Sequence, residues 1–146
     1  LVLYDPARGG GGLVLPEPSE AWWTNSAAFY AEKLEPEFTD SGLRKALGEY
    51  VTRFEPRSPN GIRRENARPV IAVNPTKITS PTLMVYGSEG AKAIYMIGGM
   101  ERGEFFEKLA TPDKAFVILP GAGDFVHFQA PRRRLHKVIA DFLLPR

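Results

Sequence analysis

Cysteine is absent from the 146 residues, which excludes disulfides, thiolate nucleophiles and cysteine-bound metals. Histidine is nearly as scarce. Only His127 and His136 occur, and no carboxylate pattern accompanies them, so no metal site and no cofactor are expected. No apolar run approaches the roughly 20 residues that a bilayer-spanning helix needs, and no charged segment precedes a signal-like stretch; no membrane span is expected. The formal net charge is +2. The one basic run, arginines 132–134, opens a terminal helix and reads as a solvated face, and nothing resembles the clustered cations and readers of a nucleic-acid surface. Glycines 9–12 are not followed by the Lys-Ser/Thr of a phosphate-binding loop and read as a flexible hinge.

What remains is a chain with 43% hydrophobic residues, enough to bury a core, and with 13 prolines and 14 glycines that imply many turns. Residues 1–4 are four apolar positions stopped by Asp5-Pro6, the pattern of a buried strand. Starting directly on a strand leads us to expect missing upstream sequence. After the Gly/Pro loop of residues 5–20, Ser19 or Glu20 can cap a helix in which Trp22, Ala27, Phe29, Tyr30 and Leu34 share one face, ended by Pro36. Thr39 or Asp40 can cap a second helix, with Leu43, Leu47, Tyr50, Val51 and Phe54 as its stripe. The stretch "EPRSPNGIRRENARP" is polar and irregular.

The texture changes near residue 70. A proline-led apolar strand over 82–86 ends in Gly87. A short amphipathic helix lies within "GGMERGEFFEKLATPDK", and a second buried strand over 116–119 leads to a glycine turn. In the closing helix "APRRRLHKVIADFLL", Leu135, Val138, Ile139, Phe142 and Leu143 recur at three- and four-residue steps. Strand–helix–strand–helix with apolar strands predicts an α/β fold whose parallel sheet is covered on both faces. Sites in such sheets gather at the carboxyl ends of the strands, where Asp5, Glu89 and His127 all fall.

Three stretches carry a family resemblance. "TKITSPTLMVYGSEG" resembles the penultimate strand of the α/β-hydrolase fold, "KAFVILPGAGDFVHFQAPRRRLHKVIADFL" its last strand, histidine loop and closing helix, and "LVLYDP" its sixth strand. The resemblance implies a partial, doubly wound, mostly parallel sheet with a helical cap insertion. Residues 1–9 would form the sixth-strand segment, 10–70 the cap or lid, and 71–146 the C-terminal core. The Gly-x-Ser-x-Gly elbow and the oxyanion loop of the family belong before the sixth strand, and no Gly-x-Ser-x-Gly occurs in these residues. The resemblance therefore implies a companion chain or upstream segment that bears both, and that this chain alone does not catalyse. An edge left open at "LVLYDP" predicts that the isolated chain aggregates or needs its companion.

Within the family the base follows the last strand, commonly directly after a glycine. Here Asp124 follows Gly123, and His127 comes three residues later; His127 is the candidate base, and His136 reads as a surface residue. For the acid, Gly90 occupies the family's usual slot after the penultimate strand and Glu89 is one step away. Some members place the acid after the sixth strand instead, an arrangement "Tyr4-Asp5-Pro6-Ala7" resembles. Asp5, Glu89 and Asp124 all stay candidates. Trp22, Trp23, Phe29, Tyr30 and Phe54 are candidates to line a pocket for a small apolar acyl substrate, with plain core packing as their other reading. The implied activity is that of a serine esterase or lipase-like acyl hydrolase. The alternatives are a dehalogenase or epoxide hydrolase with an Asp nucleophile, or a non-catalytic member of the fold.

Overall fold

The computed structural model describes residues 1–4, 19–61, 73–89 and 101–144. Asp5, the glycine run at 9–12 and the Gly90 slot lie outside them. Three strands form a parallel sheet in the order β1–β4–β5: β1 is Val2–Tyr4, β4 is Thr82–Gly87 and β5 is Lys114–Leu119. Val2 pairs with Leu83, and Thr82 with Lys114, so all three strands end at the same side of the sheet.

Strand β4 is central and buried at all six positions, as its unbroken apolar run requires of a strand covered on both faces. Its alternating side chains feed two cores. Leu83 and Val85 join Val2, Ala115, Val117 and Leu119 under the closing helix, where Leu135 is buried and Val138, Ile139 and Phe142 pack against them. Met84 and Tyr86 point the other way, to Phe105, Leu109, Leu3 and Phe106.

Among the described residues, two helices flank the sheet. The first, α3 (Arg102–Glu107), has six residues, too few to hold themselves in water. The Lys114 ammonium holds its end by donating to the carbonyls of Phe106, Glu107 and Leu109 at 3.0, 2.8 and 3.1 Å. The second, α4 (Arg132–Leu143), is the closing helix. Its stripe is narrower than its periodicity predicts, since Leu143 is 62% exposed at the fraying end.

The expected cover on both faces is incomplete at β5. Phe116 and Ile118 are 36% and 50% exposed, and they share a face with Tyr86. Phe116 meets Tyr86 edge-on and stacks on Phe106, with ring centroids 5.5 and 5.6 Å apart, but the short α3 does not reach far enough to bury both residues.

The segment between β1 and β4 departs further from expectation. Trp22–Thr24 is a strand (β2), not the start of a helix, and it pairs antiparallel with Arg57–Pro59 (β3), which lies inside the stretch read as irregular. Two tryptophans and a threonine suit a pleated strand better than a first helical turn. The helix starts five residues later, as α1 (Ala27–Lys33), because Ser26 is its cap: Ser26 Oγ accepts the Phe29 N–H at 3.2 Å. Asp40 caps α2 (Ser41–Phe54), accepting the Leu43 N–H at 3.0 Å. Along α2 the buried side of the stripe is held by Leu43, Leu47 and Val51, each half-buried. Tyr50 and Phe54 instead stand out in solvent, their rings tilted against each other with centroids 4.6 Å apart.

Candidate active site

Strand β5 delivers the chain to a tight loop, residues 120–131, at the carboxyl end of the sheet, and His127 lies on it in a single 3₁₀ turn, Val126–Phe128. Burial of Val126 between β4 and α4 fixes that turn from below. Gln129 fixes it from the side. The Gln129 side chain is wholly buried, and both ends of its amide are used: Oε1 accepts the Gly123 N–H at 2.8 Å and Nε2 donates to Glu35 Oε2 at 2.5 Å. A backbone donor on one side and a carboxylate on the other permit only that amide orientation. The five residues between Gly123 and Gln129, His127 among them, are thereby closed into a ring.

The segment just past α1 joins the loop at two places. Glu35, just past α1, accepts the Asp124 N–H on Oε1 at 3.4 Å in addition to the Gln129 amide. The Ala130 N–H donates to the Phe38 carbonyl at 3.1 Å. Beneath the loop, Gly87 ends β4 where the Ala122 and Gly123 carbonyls cross over it. A methyl on Gly87 would fall 2.6 Å from the Ala122 oxygen and closer still to that of Gly123, so only glycine lets the histidine loop lie on the strand end.

His127 is exposed, with the tilted rings of Phe128 and Phe125 beside it at 4.1 and 6.0 Å between centroids. Desolvation by these neighbours, and secondarily the charge of His136, holds its pKa below the ordinary 6.5. At neutral pH the imidazole is therefore uncharged and able to accept a proton. It opens into a hollow of about 490 Å³ lined by Phe38, Asp40, Leu43, His127, Phe128, Ala130 and Arg132.

The candidate acids are distributed as follows. Glu89 follows β4 directly and is half-buried; its N–H donates to the Ala122 carbonyl at 2.9 Å. Ser88 beside it accepts the Gly121 N–H at 3.1 Å and makes a long 3.5 Å bond to Glu89 Oε1. Asp124 is half-buried within the histidine loop itself. The structure thus gathers Glu89, Asp124 and His127 at one end of the sheet, while Asp5 lies outside the described residues. His136 is exposed on α4, as its sequence context predicts.

The five candidate pocket aromatics do not line this hollow. Trp22 is 55% exposed on β2, and Trp23 packs edge-on against Phe29, which meets Tyr30 in the same way. The Tyr30 hydroxyl donates to Asn25 Oδ1 at 3.0 Å, and Phe54 stands in solvent under the Arg53 guanidinium. Trp23, Phe29 and Tyr30 thus pack on one another beside α1, while Trp22 and Phe54 are exposed. The apolar wall beside His127 comes from Phe38, Leu43 and Phe128 instead. Glu35 and Gln129 were not legible as site residues; the one local sign was a polar Gln within the otherwise apolar "FVHFQAP".

Three parallel strands with helices against them, and the loop of His127 at their carboxyl ends, match an α/β-hydrolase-like fold. The chain is similar to an alpha/beta hydrolase fold protein from Chitinophaga pinensis, with a TM-score of 0.51 and 17% identity. The match covers 99% of this chain and 56% of that one, so the chain spans little more than half of its length, an extent that fits the C-terminal half of the fold. No protein-family model matches the chain, and no curated protein matches it. No helix among the described residues is long and apolar enough to cross a membrane.

Proposed function

We propose that this chain is the C-terminal portion of a serine hydrolase acting on an ester or related acyl bond, and that it supplies the catalytic base to a serine on an upstream segment or companion chain. One observation carries the reading. An uncharged imidazole, His127, is held at the carboxyl end of a hydrolase-type sheet and opens into a hollow with apolar walls. In the reaction the serine Oγ attacks the acyl carbon while one ring nitrogen of His127 takes its proton. A carboxylate accepts the N–H on the other ring nitrogen, fixing the tautomer and stabilising the imidazolium, and the proton then passes to the leaving group. Glu89, Asp124 and Asp5 are the candidates for that carboxylate. Phe38, Leu43 and Phe128 would take up the apolar part of the substrate.

The test uses the complete protein, nucleophile segment included. His127→Ala is expected to remove turnover of a p-nitrophenyl ester by about a thousandfold or more while the unfolding midpoint stays near that of the parent. Retained turnover would end the assignment of His127 as base. Labelling with a fluorophosphonate separates a serine nucleophile, which is modified, from the aspartate nucleophile of a dehalogenase or epoxide hydrolase, which is not. A non-catalytic member of the fold, which Asp124 in the usual histidine slot favours, would show neither labelling nor turnover.

A further inference from the structure

Resting on the reading of His127 as base, we infer that Glu35 is a positioning residue: its carboxylate clamps the histidine loop to the cap and sets where His127 stands. Glu35 sits just past α1, yet both of its oxygens are given to the loop, Oε1 to the Asp124 N–H and Oε2 to the Gln129 amide. These two donors flank the turn that carries His127. Gln129 passes the constraint on by accepting the Gly123 N–H, so a single carboxylate governs both ends of the ring closed by residues 123–129. Charge-assisted bonds of this kind are about twice as strong as neutral ones.

Gly123 supplies independent support. The three atoms nearest to the place a Cβ would occupy on Gly123 all belong to the Glu35 carboxyl group, and every one lies inside contact distance. The backbone there is not in the left-handed region that favours glycine. Glycine at 123 therefore serves the approach of the carboxylate and not a strained turn. The Phe38 carbonyl, three residues on, receives the Ala130 N–H, and Phe38 itself walls the hollow. Substrate pocket and base are thus linked through one short segment, 35–38. Displacing segment 35–38 from the core would release the loop and with it the imidazole.

The clamp is tested on the complete protein by a double-mutant cycle of Glu35→Ala and Gly123→Ala, read by kcat, KM and the ring proton resonances of His127. Glu35→Ala is expected to lower kcat about tenfold to a hundredfold with KM changed less than about threefold, and to shift the His127 resonances. Gly123→Ala alone should reproduce both effects, because its methyl displaces the carboxylate. In the Glu35→Ala background it should add almost nothing. Glu35→Gln, which keeps one accepting oxygen, should recover part of the loss, and Glu35→Ser takes the place of Glu35→Ala in the cycle if that variant fails to fold. Additive losses, or His127 resonances that do not move when Glu35 is replaced, would overturn the clamp. The resonances report the loop whether or not His127 is the base, so failure of the clamp is distinct from failure of the base assignment, which shows as retained turnover in His127→Ala.

Discussion

Strand β4 and helix α2 are held in place by different physics. All six residues of β4 are buried, whereas of the fourteen residues of α2 only Gly48 is. The strand is fixed by apolar area on two faces. The segment around α2 has sparser apolar contacts and adds a few directed polar bonds, with Asn25 at their centre: its Nδ2 donates to the Glu55 carbonyl at 2.6 Å and to Ser58 Oγ at 2.8 Å, while its Oδ1 accepts from Tyr30. Asn60, 2% exposed, ties β3 back to the Glu20 carbonyl in the same manner. A cap built this way can open without unfolding the sheet, since local stability follows the local density of buried apolar contacts.

The sharpest way to break the contrast is in the core. Met84 is fully buried on β4 between Phe105 and Leu109. Met84→Ala is expected to destabilise the complete protein by about 2–5 kcal/mol in denaturant unfolding, and to do so globally. Asn25→Ala should cost less, about 1–3 kcal/mol, because it leaves the Glu55 carbonyl and the Tyr30 hydroxyl to find other partners. Its effect should stay local: hydrogen exchange rises across residues 22–60 while the amides of β4 keep their protection. Uniform loss of protection would show instead that cap and core form one cooperative unit.

The smallest effect is that of pH. The folded state binds the His127 proton less readily than the unfolded state does, so the stabilisation is complete above the ordinary pKa of 6.5 and is lost as pH falls through the lower folded value. His127→Gln should flatten this part of the stability–pH curve. The parent's turnover should fall along an acid limb centred below pH 6.5, where the base becomes protonated.

The core was legible because its signals are local. The unbroken apolar run over 82–87, the glycine that ends it and the three- and four-residue steps of the closing helix each carry their meaning within a dozen residues. The cap hairpin was not. Trp22 pairs with Pro59, and neither segment alone distinguishes a three-residue strand from a helix start or a loop. Proline at the end of β3 is compatible only with an edge, and that could be seen only once its partner was known. Likewise His127 could be found from its place after β5, whereas the Glu35–Gln129 bond joins residues 94 positions apart and leaves no periodic trace. The hollow was missed for the same reason: its wall comes from Phe38 and Leu43 of the cap and from Phe128 and Arg132 of the core, brought together only by the fold.

Lys114 adds a polar latch to the apolar contacts on the α3 side. Its ammonium occupies its three hydrogens with three carbonyls at the end of a helix that cannot stand alone, while its own residue begins the neighbouring strand. Acylation of that one amine would remove its charge and leave it one hydrogen for the three carbonyls, so the end of α3 would fray while Phe105 and Leu109 kept the rest of the helix on the sheet.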